Sequence, residues 1–268
     1  AKMVDAVVFS KNRAAQLDLF LSNFYELSDF INLKIIYKAT EKQYEMGYSL
    51  VKRRFPYIIE EETDLKSQCL SHFYNNPFCF FTDDSFFYRI IDKTNLLNVL
   101  AVLKPNECFS FRLGLNTNDN HGFLSRSPKL TEGFGQEEDI IWWNPKEYGY
   151  HECYGYSMSL DGHIYHPSLL DDLDFEFGIP NELEARFGKF KDRIDRIYSF
   201  NQSALVINPI NRVQEVCLNW NGEKFGKTVE ELNQAYLRGN SLTYCSDFCP
   251  NSTHYEVDLK YVFTVRTG

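Results

Sequence analysis

The sequence predicts an α/β fold whose first half forms a Rossmann-like half-sheet. Two observations lead to this prediction: short runs of continuously apolar residues recur up to residue 81, and stretches of helical periodicity separate them. Strands that are apolar on both faces are typical of a parallel sheet covered by helices on each side. With 268 residues, 44% of them hydrophobic, the chain is large enough to bury such a core.

Strands and helices alternate in the first half. A helix is indicated after the first strand by apolar residues that recur on one helical face, namely Leu17, Phe20, Leu21, Phe24 and Leu27. In chain order, the predicted elements are a strand at 4–9, this helix, a strand at 33–37, a helix at 41–54 ended by Pro56, a strand at 57–59, a short helix at 64–74 and a strand at 78–81.

The second half is less regular. A predicted strand at 108–113 is followed by a polar, Gly- and Asn-rich stretch at 115–149, which is interpreted as loops. The later elements are a strand-like stretch at 154–165 with a turn at Asp161-Gly162, helices that begin at 167 and 180, a strand at 204–207, and a helix at 228–237 with a capping box from Thr228 to Glu231. Because no repeat or linker interrupts the chain, we predict a single domain, 1–268.

The composition and charge indicate which kinds of partner and which cellular compartment to expect. The net charge is -9, the pI is about 5.2, and the basic residues cluster only at Lys52-Arg53-Arg54, so we expect no nucleic-acid partner. No apolar run approaches the roughly 20 residues that a membrane span needs, and the first residues lack the pattern of a signal peptide. Seven cysteines at irregular spacings favour a reducing compartment, so we expect a cytoplasmic protein.

Two features leave alternatives open. Phe, Trp and Tyr make up 16% of the residues, which indicates either an aromatic core or rings that line a sugar site. The spacing of Cys245, Cys249 and His254 is similar to half of a zinc site, but structural zinc takes four ligands and no second pair stands nearby. Buried or loop cysteines are therefore the favoured interpretation.

An acidic pair follows the strand predicted at 78–81. Asp83 and Asp84 stand at its carboxyl end, where open parallel sheets bind their ligands. Two adjacent carboxylates repel each other, and Mg²⁺ or Mn²⁺ relieves that repulsion while phosphate oxygens and waters complete the shell of the cation. The alternative is a solvated loop in which Asp84 or Ser85 caps a helix.

A polar turn, Ser10-Lys11-Asn12-Arg13, stands at the carboxyl end of the first strand and leads into a helix. A helix N-terminus presents unpaired amides and a partial positive charge to an anion. Arg13 could add a fork of donors to a phosphate or to a base edge. The alternative is plain helix capping by Ser10 or Asn12.

Together, Phe9-Ser10-Lys11-Asn12-Arg13 and Phe81-Thr82-Asp83-Asp84 resemble the nucleotide-binding motifs of GT-A glycosyltransferases, close to the family-2 type. The resemblance covers most of the chain and implies a GT-A fold with a mixed central sheet, in which a nucleotide-sugar-binding half (1–115) is fused to an acceptor-binding half with a C-terminal helical segment (116–268). Later segments are similar to bacterial glycosyltransferases of polysaccharide loci; they are Phe111-Arg112-Leu113-Gly114-Leu115-Asn116, Ser159-Leu160-Asp161-Gly162-His163-Ile164-Tyr165, Pro180-Asn181-Glu182-Leu183-Glu184 and Asn211-Arg212-Val213-Gln214.

The resemblance also implies roles for individual residues. The DxD-type motif of the family is Thr-Asp-Asp here, so Asp84 fits the metal-binding aspartate and Asp83 fits the middle position, with Mn²⁺ or Mg²⁺ as the metal. The residues expected to contact the nucleotide sugar are Phe9, Ser10, Asn12, Arg13, Asp83, Arg112, His163, Asn211 and Arg212. For Arg112 a strand-end turn is the alternative, and for His163 a structural imidazole.

An inverting transfer needs a carboxylate that takes the proton of the acceptor hydroxyl. In the resembling enzymes this base lies near the start of a helix after the acceptor-side strand, which is the place of Glu182 and Glu184. We favour Glu184, because Leu183 should face the core, and Asp161 is the next candidate. The alternatives are acidic residues that balance a helix dipole and an Asx turn at Asp161.

The sequence therefore predicts a metal-dependent glycosyltransferase, inverting by expectation, that moves a sugar from a UDP-, GDP- or dTDP-sugar to a glycan or a lipid-linked saccharide acceptor. One alternative is a sugar-phosphate nucleotidyltransferase, which shares the half-fold and the metal but usually carries a long Gly-rich loop after the first strand. Such a loop is missing from this sequence. The other alternative is a non-catalytic carbohydrate-binding protein.

Overall fold

The computed structural model describes residues 2–119, 130, 133–214 and 221–264. Within them the strands are β1 (Val4–Lys11), β2 (Ile31–Lys38), β3 (Ile58–Glu61), β4 (Phe78–Thr82), β5 (Ser85–Phe87), β6 (Glu107–Ser110), β7 (Gly135–Glu137), β8 (Ile140–Trp143), β9 (His163–Tyr165), β10 (Arg196–Phe200), β11 (Leu205–Ile207), β12 (Asn240–Tyr244) and β13 (Leu259–Phe263). The α-helices are α1 (Ala14–Ser22), α2 (Lys42–Arg54), α3 (Leu65–His72), α4 (Lys93–Ala101), α5 (Pro180–Phe187) and α6 (Val229–Leu237).

Nine of these strands form one mixed sheet in the order β3-β2-β1-β4-β9-β6-β10-β8-β7. The neighbours from β3 to β4 run parallel, whereas β9 lies antiparallel between β4 and β6. Strand β10 is parallel to β6 and antiparallel to β8. The predicted fold class is confirmed, because a parallel half-sheet continues into a mixed sheet that contains strands of both halves.

Strands β1, β2 and β4 of the half-sheet are buried on both faces, as their continuously apolar residues predict, whereas the edge strand β3 is partly exposed. Along β1, Val4, Ala6 and Val8 belong to one core cluster and Val7 and Phe9 to another, because successive side chains of a strand point to opposite faces. Helices cover these faces, and no helix in the described part of the chain is both long and apolar enough to cross a membrane.

Local signals set several helix ends. The Thr228 side chain accepts a hydrogen bond from the Glu231 amide, as the predicted capping box requires, and α6 begins at the next residue. Helix α1 begins after Arg13 without a side-chain cap. The alternative in which Ser10 or Asn12 only caps this helix is therefore wrong.

The second half departs from the prediction in its strands. Residues 140–143, expected in a loop, form β8 and pair with β10, which the sequence pattern did not indicate. The strand expected at 108–113 ends at Ser110, and only β9 is a strand within 154–165. These segments are short, and their sheet partners lie far away in sequence, so tertiary pairing rather than local pattern decides them. The predicted loop residues 120–129 and 131–132 lie outside the described residues.

Two smaller predictions are also corrected. The segment Pro167–Leu173 is a 3₁₀ helix and not an α-helix. The predicted strand at 204–207 exists as β11, but it pairs with β5 in a separate two-stranded sheet. This pairing brings the segment after β11 next to the acidic pair that follows β4, because the Asn208 amide donates to the Asp84 carbonyl over 2.8 Å.

Candidate active site

A cavity of about 450 Å³ lies at the carboxyl ends of β1, β2 and β4, where open parallel sheets bind ligands. Phe9 is the one Phe, Tyr or Trp among the described residues that line it, and many of the other described aromatic residues belong to the two core clusters. The predicted site residues that line the cavity are Phe9, Ser10, Arg13, Asp83, Asp84, Asp161, Glu184, Asn211 and Arg212.

Asp83 is the buried member of the acidic pair. Its Oδ2 accepts hydrogen bonds from Ser10 Oγ at 2.8 Å and from the Lys11 amide at 3.3 Å, and its Oδ1 accepts from Arg13 Nη1 at 3.0 Å. Burial raises the pKa of Asp83 to about 6, against the opposing charge of Arg13. A metal ion at Asp83 would therefore compete with three donors of the protein.

Arg13 is buried, and other protein groups occupy its donors. Its Nη1 donates to Asp83, its Nε donates to Asn211 Oδ1 at 2.9 Å, and its Nη2 donates to the Asn211 carbonyl at 2.8 Å. Burial acts to lower the pKa of Arg13, but the charges of Asp83 and Asp84 raise it overall. The fork of donors that the sequence suggested for a phosphate forms an internal link here.

Asp84 is the more accessible member of the pair, with 19% of its side chain exposed. Its Oδ1 lies 2.9 Å from Thr82 Oγ1, and its Oδ2 lies 3.7 Å from Arg13 Nη1. The same Thr82 hydroxyl lies 2.6 Å from Asp161 Oδ1. Because a hydroxyl carries one proton, Thr82 donates to one of these carboxylates at a time, and it joins the end of β4 to the turn before β9.

Asp161 and Glu184 are the carboxylates that the second half contributes, and they are held differently. Glu184 Oε1 accepts from the Tyr156 hydroxyl at 2.7 Å, and Oε2 accepts from the Leu160 amide at 3.1 Å. Asp161 Oδ1 accepts from Thr82, whereas its Oδ2 has no hydrogen-bond partner within the described ranges. Burial, together with nearby carboxylates, raises the pKa of Asp161 to about 7.

Asn12 and Glu182 do not line the cavity. Asn12 has a φ of 57°, and its side chain bonds the hydroxyl and the amide of Thr40, which fastens the β1 turn to the end of β2. Glu182 is exposed and accepts from the Gly178 amide at the start of α5. Leu183, between the two glutamates, is fully buried as expected.

Arg112 and His163 form a buried pair behind the cavity, which neither of them lines. Arg112 Nε donates to His163 Nε2 over 3.1 Å, so the other ring nitrogen, Nδ1, carries the proton that it donates to the Ser157 carbonyl over 2.9 Å. Burial and then the charge of Arg112 lower the pKa of His163 well below its ordinary value. The structural alternative for both residues agrees with this geometry.

Several cavity residues were not predicted as site residues, and three of them carry ionisable side chains that the motifs did not include. Lys38 ends β2 beside Lys11, its register partner on β1, and Glu62 follows β3. The rule that ligands bind at the carboxyl ends of parallel strands could have found both. His254 is the third, and the sequence analysis considered it only as part of a zinc pattern.

His254 belongs to the cavity, whereas Cys245 and Cys249 are exposed and do not line it. The backbone of His254 bridges to Ile207 on β11. Its Nδ1 lies 3.0 Å from Thr253 Oγ1. Burial lowers the pKa of His254 to about 4, so the imidazole is neutral, the form that binds metals.

The described residues contain no group of three or more His, Cys, Asp and Glu side chains that could hold a metal ion. Asp84 and His254 nevertheless line one cavity. Magnesium-type cations commonly take one or two protein ligands and complete their shell with phosphate oxygens and waters. An imidazole binds later transition metals better than it binds Mn²⁺, but it is compatible with Mn²⁺. A divalent cation shared with a phosphate ligand would need no more protein ligands than these two side chains.

No protein-family model matches the chain, and no curated protein sequence matches it. Several crystal structures of S. aureus TarS are similar. TarS 1–349 is 12% identical with a TM-score of 0.45, and the match covers 76% of this chain and 59% of TarS 1–349. Its complex with UDP is 14% identical with a TM-score of 0.42, and the match covers 76% of this chain and 59% of that structure. Its complex with UDP-GlcNAc is 12% identical with a TM-score of 0.45, and the match covers 76% of this chain and 57% of that structure.

This chain thus spans less than two thirds of the length of these TarS structures. At such identities and TM-scores the similarity concerns the fold alone.

Proposed function

We propose that this protein is a glycosyltransferase that takes a sugar from a nucleoside-diphosphate sugar and transfers it to a saccharide acceptor. One observation carries the proposal: a single cavity at the carboxyl edge of the sheet brings together the acidic pair, the turn after β1 and the carboxylates of Asp161 and Glu184. A diphosphate leaving group needs positive charge, and attack by a hydroxyl needs a base. The residues of this cavity supply both.

The diphosphate of the donor is proposed to lie beside Asp84, with Mn²⁺ or Mg²⁺ held by Asp84 and His254. When bound, such a cation acts as a Lewis acid that stabilises the charge of the leaving nucleoside diphosphate. Asp83 is assigned to holding the β1 turn instead, because its oxygens already accept from Ser10, Lys11 and Arg13. Lys11 and Arg212 line the same cavity and add positive charge for the phosphates.

Asp161 is proposed as the base. The acceptor oxygen forms a bond to the anomeric carbon, the bond from that carbon to the diphosphate oxygen breaks, and the hydroxyl proton passes to Asp161 Oδ2. Attack opposite the leaving group inverts the anomeric centre. Glu184 is the alternative base, but hydrogen bonds to both of its oxygens favour a role in holding the turn that carries Asp161.

A thermal-shift screen of UDP-, GDP- and dTDP-sugars, each with and without Mn²⁺, tests the donor class. A ligand that binds only the native state raises the melting temperature, so we expect a rise that depends on the cation and on the nucleotide base. UDP and UDP-GlcNAc are suitable first probes, since TarS was solved with both. The absence of a shift with every donor would refute the proposal.

The reaction itself separates the proposed function from its alternatives. A transferase releases free nucleoside diphosphate from the nucleotide sugar when Mn²⁺ and a saccharide acceptor are present. A non-catalytic carbohydrate-binding protein releases none. A sugar-phosphate nucleotidyltransferase releases pyrophosphate from a nucleoside triphosphate and a sugar phosphate.

A further inference from the structure

Arg13 and Asn211 are 198 positions apart in the chain, yet two hydrogen bonds join them. Arg13 Nε donates to the Asn211 side chain, and Arg13 Nη2 donates to the Asn211 carbonyl. The third arm of the guanidinium is paired with Asp83 at 3.0 Å, and the Arg13 and Asp83 side chains are only 7% and 5% exposed. One buried cation thus connects the first turn, the end of β4 and a late segment of the chain.

That late segment forms a wall of the cavity. Residues 209 and 211–214 line it, and the segment begins at Asn208, whose amide donates to the Asp84 carbonyl. The Asn208 side chain also exchanges two hydrogen bonds with the Val257 backbone. Asn211 therefore stands between the part of the segment that is fixed beside Asp84 and residues 212–214, which continue along the cavity.

Asn211 is itself held at four points. It accepts twice from Arg13, and its Nδ2 donates to Gln16 Oε1 at 3.2 Å and to the Lys227 carbonyl at 3.0 Å. Gln16 belongs to α1, so the wall is fastened to the helix that begins directly after Arg13. Among these contacts, the two from Arg13 carry the charge, and charge-assisted hydrogen bonds are the stronger kind.

We propose that Arg13 is a positioning residue, which holds the wall of residues 209–214 against the acidic pair and thereby sets where Arg212 meets the phosphates of the donor. This inference rests on the proposed function for the identity of the ligand, but not for the link itself. A planar guanidinium can bond Asp83 and both Asn211 oxygens at once, whereas a lysine at this position would keep the charge and lose the fork.

Two variants test the link, and a third is a matched control. Arg13→Lys keeps the charge. Asn211→Ala removes the side-chain acceptor, together with the Nδ2 bonds to Gln16 and Lys227, while no buried charge loses its carboxylate partner. Arg54→Lys is the control, because Arg54 also pairs with a buried carboxylate, Asp18, at 3.3 Å but does not line the cavity.

The first readout is hydrogen exchange of the amides at 210–214 in the ligand-free protein. We expect exchange about tenfold faster or more in Arg13→Lys and Asn211→Ala, because hydrogen bonds to a charged group are lost, and unchanged exchange there in Arg54→Lys. If Arg13→Lys does not fold, Asn211→Ala still decides the question. Unchanged exchange in Asn211→Ala would overturn the proposed link.

The second readout is the dissociation constant of UDP and of GDP in the presence of Mn²⁺. For the nucleotide that wild type binds, we expect about tenfold weaker binding in each single variant and a loss in the double variant that is smaller than the sum of the two single losses in free energy, because both changes break the Arg13–Asn211 link and only Asn211→Ala also removes the bonds to Gln16 and Lys227. Faster exchange without weaker binding would refute the role in positioning. If wild type bound neither of these nucleotides nor dTDP, the proposed function would fail, and the exchange result would still decide whether Arg13 holds the wall.

Discussion

Tyr156 donates its hydroxyl hydrogen to Glu184 over 2.7 Å, and this bond separates the roles of the acidic residues in the second half of the chain. The other oxygen of Glu184 accepts from the Leu160 amide, directly before Asp161. Glu184 on α5 thus holds the turn that presents Asp161 to the cavity. Because Glu184 accepts a bond that holds the turn on each of its oxygens, substitutions of Glu184 and Asp161 should fail in different ways.

Asp161→Asn should lower kcat by about 10²–10⁴-fold, the range typical of general-base catalysis, with donor affinity nearly unchanged. Initial rates and calorimetric titration of the donor measure the two effects. Glu184→Gln should cost less in rate and should also lower the melting temperature, because an amide nitrogen cannot accept from Tyr156 or Leu160. Glu182→Gln, at an exposed position, is the control. If Glu184→Gln lost all transferase activity while Asp161→Asn stayed active, Glu184 would be the base.

Asp84→Asn should abolish the Mn²⁺ dependence of nucleotide binding and leave the fold intact, because this side chain is partly exposed and is proposed as a metal ligand. Asp83→Asn should act on stability instead, since it leaves Arg13 buried without its closest carboxylate. Breaking a buried ion pair costs about 3–5 kcal/mol. Calorimetry with Mn²⁺ and urea denaturation distinguish the two variants. Cation-dependent binding that persists in Asp84→Asn would contradict the assignment.

His254→Ala should raise the Mn²⁺ concentration that nucleotide binding requires by about tenfold or more. Even residues behind the direct ligands typically contribute 10–100-fold to metal affinity. The measurement is nucleotide affinity over a range of Mn²⁺ concentrations. Cys245→Ser and Cys249→Ser are matched controls from the same region, and both cysteines are exposed. If the cysteine variants lost metal as His254→Ala does, the three residues would form a joint site after all.

His163 should lower stability in mild acid, in the same sense as His254 and against Asp161 and Asp83, whose raised pKa values of about 7 and 6 favour the folded state there. Its pKa in the folded state lies well below 6.5, so below pH 6.5 the unfolded chain takes up a proton that the folded protein does not. The free energy of unfolding then decreases as the pH falls, by up to about 1.4 kcal/mol per pH unit for this group. In urea denaturation between pH 7.5 and 5, the free energy of unfolding of His163→Gln should change more favourably with falling pH than that of wild type.

Substitution of the exposed His151 by Gln serves as the control for that experiment, and it should leave the slope as in wild type. An equal change with pH in His163→Gln and in wild type would show that other groups dominate the acid response. In that case His163, although it lies beside Arg112, would take up its proton in the folded protein at the same pH as in the unfolded chain.

Much of the fold could be predicted because the first half is built from local signals. The apolar runs at 4–9, 33–37 and 78–81 each became a strand of the parallel half-sheet. Asp83 and Asp84 follow such a strand, so their place at the carboxyl edge was predictable as well. Strands β8 and β10 could not be predicted, because they are held by pairing with each other and with β6 and not by a local pattern of apolar residues.

The sequence by itself determined which residues end the strands of the half-sheet and therefore where a ligand would bind, because apolar runs and turns are local properties. Only the tertiary structure decided what each polar group does there. It paired Arg13 with Asn211 and not with solvent, gave each oxygen of Glu184 a hydrogen bond while one oxygen of Asp161 has no partner among the described residues, and placed His254 in the cavity. The physical reason is that a buried polar group takes the partners that the fold brings within hydrogen-bond distance, and those partners lie far away in sequence.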